Sequence, residues 1–146
     1  MAIISVTRLR VRSFFFMPQF MWGAIRSANQ AERSAGFLGG KIVRMPRNVF
    51  WTITAWETEA AMNSYRIAGA HLRAMPKLLK WCDEAAVAHW IQDSAEIPSW
   101  REAHRHMLVE GRLSKVNHPS PVQLAKQIPA PEPSRAERRL RPAGNR

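Results

Sequence analysis

The sequence predicts one α+β domain of order β-α-β-β-α-β, a four-stranded antiparallel sheet carrying both helices on one face, with an extra C-terminal helix closing residues 1–111. Three observations carry this expectation. Period-two and helical apolar spacings alternate along the chain, and glycines and prolines fall between them. Finally, three of the predicted strands are apolar on both faces, so a sheet covered by two helices needs a second cover.

Ile3 to Arg12 reads as the first strand, with Ile3, Ser5, Thr7, Leu9 and Val11 on one face and Ile4, Val6, Arg8, Arg10 and Arg12 on the other. From about Phe15 to Ala35, Phe16, Phe20, Ile25 and Ala28 recur at helical spacing, and Pro18 suits the first turn. Gly36 ends that helix. Phe37 to Met45 forms a second strand whose Gly39-Gly40 pair signals a bulge or a close neighbour. Pro46, Arg47 and Asn48 turn the chain into Val49 to Glu57, a strand of strong β composition. Thr58 is the N-cap of a helix over Glu59 to Ile67, and a further helical piece runs from Ala70 to Trp81, bent near Pro76. Glu84 to Gln92 alternates as the fourth strand. Ser99, with Glu102 three residues on, opens the last helix, which runs to Gly111.

Composition narrows the function classes. The chain of 146 residues carries a net charge of +11, but residues 1–111 hold fourteen Lys/Arg against nine Asp/Glu, whereas residues 112–146 hold eight against two. The shorter segment also contains six of the ten prolines, so it reads as a disordered basic tail, residues 112–146. Its arginines, Arg135, Arg138, Arg139, Arg141 and Arg146, lack the interleaved aromatics that stack on bases, and no specific nucleic-acid partner is expected. The single cysteine, Cys82, excludes an intrachain disulfide and a cysteine-based zinc site and fits a cytoplasmic setting. Arg8, Arg10 and Arg12 before the apolar run Phe14 to Ile25 look like a targeting segment, yet Pro18 and Gln19 interrupt that run and no clear cleavage site follows it. No membrane span is expected.

The runs Ala35-Gly36-Phe37-Leu38-Gly39, Phe50-Trp51-Thr52-Ile53-Thr54-Ala55-Trp56-Glu57, Met62-Asn63-Ser64-Tyr65-Arg66 and Gly69-Ala70-His71 together resemble the antibiotic-biosynthesis-monooxygenase-like superfamily. The resemblance covers roughly residues 3–92 and implies a ferredoxin-like subunit in a dimeric α/β barrel, a homodimer whose second subunit's sheet supplies the missing cover. It implies a range of activities, among them cofactor-free oxygenation and haem degradation. The haem-degrading branch uses a first-strand asparagine, a tryptophan on the second helix and a histidine beyond it. Here the first strand offers Thr7 and Arg8, Tyr65 stands at the tryptophan position, and the ligand position falls near Met75. No cofactor is therefore expected, and His71 and His89 are the residues a haem site of another kind would use.

The candidate catalytic residues are His71, Tyr65 and Arg73, grouped with Arg66 on and after the second helix. Imidazole titrates near neutrality, which suits His71 to general-base work; the plainer role is to satisfy backbone groups at the Gly69 break. Trp51, His89, Trp90 and Arg8 are the candidate substrate-binding residues, the two tryptophans together with Trp56 as walls for a flat apolar or aromatic molecule and Arg8 as an anion holder. Ordinary core or interface packing is the competing role for the tryptophans. His104 and His106 stand two apart on a helix and point to different sides, so no metal site is expected. The leading expectation is a monooxygenase-like enzyme or small-molecule binding protein with an apolar pocket, in which the substrate carbanion reduces oxygen, His71 takes the proton, and Trp51 and Trp90 exclude water. The alternative is a non-catalytic dimeric scaffold whose basic tail binds an acidic partner.

Overall fold

The computed structural model describes residues 1–134 and 136–145, so Arg135 and Arg146 of the basic segment lie outside the described residues. Its elements are β1 (Ala2–Val11), α1 (Met17–Arg33), β2 (Phe37–Met45), β3 (Val49–Trp56), α2 (Glu59–Arg66), α3 (Gly69–Trp81), β4 (Cys82–Gln92), α4 (Trp100–Glu110), β5 (Arg112–Leu113), α5 (Pro121–Leu124) and β6 (Ala136–Leu140). They build one six-stranded antiparallel sheet in the order β5-β4-β1-β3-β2-β6. The β-α-β-β-α-β order is present, with the second helix split at Gly69, whose φ is +55°. The expected four strands are thus a core to which two edge strands are added.

Local chemistry sets the boundaries. The Thr58 hydroxyl accepts from the Ala61 N–H at 3.0 Å to start α2, and Ser99 accepts from the Glu102 N–H at 3.1 Å to start α4. Gly36 turns the chain from α1 into β2 at a φ of +80°, where a Cβ would stand 2.6 Å from that of Ala61. At Gly40 a Cβ would lie 2.3 Å from the Ile53 carbonyl oxygen, so the glycine pair permits the close approach of β2 to β3. Pro76 sits inside α3 without breaking it.

The described residues between 112 and 145 are not the disordered extension their composition suggests. β5 pairs with the edge of β4, Ser120 caps α5, and β6 pairs with β2 from Gly40↔Leu140 to Arg44↔Ala136. Leu140 is 2% exposed and packs among Phe37, Trp56 and Met62. The prolines act as punctuation here, since Pro121 occupies the first turn of α5, and scattered apolar residues dock on different clusters: Val116 and Leu140 are buried, and Leu113 and Ile128 are partly so. The charge is also answered locally. Glu32 is buried and accepts from Arg138 Nη2 at 3.2 Å and from the Arg141 N–H at 2.9 Å. Trp100 Nε1 donates to Glu137 at 2.7 Å.

The second sheet face is covered from within the chain. Ile4, Val6, Val43, Trp51, Ile53, Ala86, Ala88 and Trp90 pack beneath Trp100, Ala103 and Met107 of α4, with Leu113 and Ile128 from the C-terminal segment. A partner subunit's sheet is therefore not needed to keep this face dry, which removes the physical ground on which a homodimer was expected. Among the described residues no helix is long and apolar enough to cross a membrane.

If β6 is part of the fold, Leu140→Ala lowers stability by about 2–4 kcal/mol in urea unfolding, the range for emptying a buried leucine site. A change within about 0.5 kcal/mol, as at ordinary surface positions, would instead return this segment to a free tail.

Candidate functional site

The opposite face of the sheet is hollow. Its side chains between β1 and β3 are small or hydroxylated, Ser5, Thr7, Thr52 and Thr54, and the helix laid over them presents Gly23, Ala24, Ser27, Ala28 and Ala31. Small residues facing small residues leave a cavity of about 400 Å³, within the roughly 300–1,000 Å³ usual for small-molecule sites. Phe20, Phe50, Trp56 and Met62 supply apolar walls, α3 contributes His71, Ala74 and Leu78, and β4 contributes Val87 and His89. Among the described residues no aspartate or glutamate lines it, whereas Arg66, Arg112 and Lys115 do.

His71 sits where α2 gives way to α3. Its backbone N–H donates to Gln30 Oε1 at 2.8 Å, and Nδ1 lies 3.1 Å from the Arg66 carbonyl oxygen. A carbonyl only accepts, so Nδ1 carries the proton and Nε2 keeps its lone pair. Burial holds the imidazole below the usual histidine range, outweighing the Arg66 carbonyl, which acts the other way. The ring leans on Tyr65 at a centroid distance of 4.6 Å, and Tyr65 leans on Trp56 at 5.0 Å.

Tyr65 Oη donates to the Ser27 carbonyl at 3.0 Å, and burial pushes the phenol far above its ordinary value. It is thus a neutral strut joining α2 to α1, unsuited to losing its proton. His89 on β4 is half-buried and also held low, first by burial and then by the Arg66 and Arg112 charges. His71, Tyr65 and His89 accordingly share one cavity with Arg66.

The remaining expected site residues lie elsewhere. Arg73 is exposed on α3 and does not line the cavity. Arg8, Trp51 and Trp90 are on the filled face, because Arg8 pairs with Trp51 across β1 and β3 and Ile4 pairs with Trp90 across β1 and β4, and partners in register point to one side. Trp51 meets Trp100 and His104 edge-on, and Trp90 stacks on His106 at 3.8 Å. Arg8 is 5% exposed and donates to Glu84 at 2.7 Å, while Ser120 Oγ donates to the other oxygen of that carboxylate at 2.9 Å. Arg8 is thereby committed to an internal ion pair. Trp56, the third tryptophan considered as a pocket wall, does line the cavity, whereas Ser27, Thr52 and Arg112 were not anticipated there. In mid-strand Thr52 and Thr54 alternate with Trp51 and Ile53, so the signal was which parity is small there, read together with the small-residue stripe of α1.

Among the described residues no group of three histidine, cysteine or carboxylate side chains is placed to hold a metal ion. His104 Nε2 meets the Ile128 carbonyl at 2.8 Å, and His106 pairs with Glu110 at 2.9 Å.

No family model and no curated protein matches the chain. Solved structures do resemble it. SnoaB, a cofactor-independent oxygenase from Streptomyces nogalater, is 17% identical, with the match covering 64% of this chain and 94% of that one at a TM-score of 0.53. Rv0793 from Mycobacterium tuberculosis is 10% identical, with 66% and 100% covered at a TM-score of 0.58. An antibiotic biosynthesis monooxygenase candidate from Nitrosomonas europaea is 13% identical, with 63% and 99% covered at 0.56. These likenesses show a shared fold, that of antibiotic-biosynthesis-monooxygenase-like structures.

Two histidines held neutral by burial tie stability to pH. Below the ordinary value of 6.5 the unfolded chain takes up protons that folded His71 and His89 refuse, so stability is fully present above that pH and falls as pH drops toward their lowered values. Urea midpoints at pH 7.5 and 5.5 are expected to fall on acidification, and to fall less in His71→Asn. Equal losses in the two proteins would show that His71 is not held neutral.

Proposed function

We propose that the chain is a monooxygenase-like enzyme for a flat aromatic molecule that binds between the sheet and the α1/α3 layer, with His71 as the general base. The observation that carries this reading is His71 in the lining of a mainly apolar cavity, its tautomer set by the Arg66 carbonyl so that Nε2 keeps its lone pair. The likeness in fold to a cofactor-independent oxygenase supports chemistry between substrate and oxygen alone.

Nε2 takes the proton of an acidic phenol, leaving an electron-rich phenolate with carbanion character at the opposite ring carbon. This anion passes electrons to dioxygen. With 1-naphthol as the example, the O–H bond and the C–H bond at the opposite ring carbon break, and a carbonyl forms at each carbon. One oxygen atom ends in the quinone and the other leaves as water with both hydrogens, so dioxygen accepts all the electrons the ring loses. Phe20, Phe50 and Trp56 form the dry walls, replacing Trp51 and Trp90 in that role. Tyr65 holds the imidazole by ring contact and keeps its own proton.

The test is oxygen uptake with a series of naphthols, alongside tryptophan fluorescence to follow binding. Uptake of one dioxygen per quinone formed is expected, and His71→Asn should lower kcat by about a hundredfold or more, as for loss of a general base, with KM changed by less than about threefold. Unchanged kcat in His71→Asn removes the base assignment. Failure of every naphthol to bind removes the cavity as the site.

A further inference from the structure

The C-terminal segment does more than cover the sheet, because part of it forms a wall of the cavity. Arg112 is in register with Val87 across β4 and β5, and Val87 faces the cavity, so the Arg112 side chain lies on that same face. From there the chain climbs from the sheet toward the helices. The Ser114 N–H donates to the Ala85 carbonyl at 2.9 Å, and the Asn117 N–H donates to the Leu79 carbonyl on α3 at 2.9 Å. Residues 112–117 thus bridge the sheet edge to α3 and carry Arg112 and Lys115 to the rim. Arg66 reaches the same cavity from the end of α2.

These cations are not already neutralised. Among the described residues none of the three is ion-paired with a carboxylate. Among the described residues the side-chain hydrogen bond of Arg66 is to the Asn63 carbonyl oxygen at 3.5 Å. Glu59 does act on His89 electrostatically, but more weakly than either arginine. An apolar cavity with a cationic rim and no lining carboxylate has a definite complement.

We propose that Arg66 and Arg112, with Lys115, bind the anionic group of a ligand whose flat apolar body fills the cavity, which makes the added segment 112–117 a specificity element for an aromatic carboxylate or comparable oxyanion. The proposal rests on the reading of the cavity as a ligand site. It also bears on the chemistry proposed there, since a rim of positive charge stabilises the anion left when His71 takes its proton.

Two fluorescent probes test it on the full chain. 1-Anilinonaphthalene-8-sulfonate and N-phenyl-1-naphthylamine share one aromatic body and differ by the sulfonate. The sulfonate probe is expected to bind more tightly, to lose about tenfold in affinity in Arg66→Gln/Arg112→Gln, and to weaken with added salt, while the neutral amine stays within about twofold. Arg73→Gln/Lys77→Gln removes equal charge from residues off the cavity lining and should leave both probes unchanged. Equal affinities for the two probes, or equal losses in both double variants, overturn the rim assignment and leave the cavity reading standing. Failure of both probes to bind removes the cavity reading, and the rim assignment with it.

Discussion

The antiparallel pairing of β1 with β3, from Ile3↔Trp56 to Arg10↔Val49, is the constraint on which the rest of the molecule depends, because it locks two alternating patterns into phase. Ile4, Val6 and Arg8 fall in line with Ala55, Ile53 and Trp51 on one side, while Ser5, Thr7 and Leu9 fall in line with Thr54, Thr52 and Phe50 on the other. A slip of one residue would exchange the faces and put bulk into the cavity and hydroxyls into the core. The register therefore decides in one step which face is solid and which is hollow. The hollow stays open only because α1 brings small residues over it, where larger ones would fill the space by ordinary packing.

The solid face imposes a cost of its own. Arg8 is carried by its parity into a place where a charge loses its water, and the loss is offset by Glu84, itself bonded to Ser120 from the C-terminal segment. Such a pair adds little net stability compared with apolar packing, yet either half left alone is strongly unfavourable. Ser120 is also the cap of α5, so the ion pair and the segment that closes over it depend on each other. Positioning of the segment, more than raw stabilisation, is what this arrangement contributes. Arg10, bonded to Asp83 at 2.8 Å, extends the same cluster to the surface.

Element order, the caps at Thr58 and Ser99, and the hairpin from β2 to β3 were legible in the sequence because each rests on local chemistry that a few adjacent residues carry. The glycine pair Gly39-Gly40 was legible as a close approach for the same reason. Two things were not. Which parity of β3 faces the helices depends on the helices themselves, and the larger aromatic residues drew the substrate role toward Trp51 and Trp90 although large side chains fill space and small ones create it. The second is the fate of residues 112–146. Their apolar residues are spaced too widely to show any period, and Leu113, Val116, Ile128 and Leu140 find their places only on a surface formed by the rest of the chain.

That segment separates two jobs which a bare ferredoxin-like subunit would leave joined. Without α4 and the chain after it, the face bearing Trp51 and Ile53 would have to find cover in another molecule, and the site would be one half of an assembly. With them, the cover and the cavity are both completed by one chain, on opposite sides of one sheet. The same stretch that shields the solid face also brings Arg112 and Lys115 to the hollow one, so its sequence is under two demands at once. His71 meets a similar double demand on a smaller scale. One ring nitrogen satisfies the end of α2, and by doing so it fixes the proton that leaves the other nitrogen free to accept one. The structural role is therefore compatible with the proposed base, and the two readings of that residue are complementary.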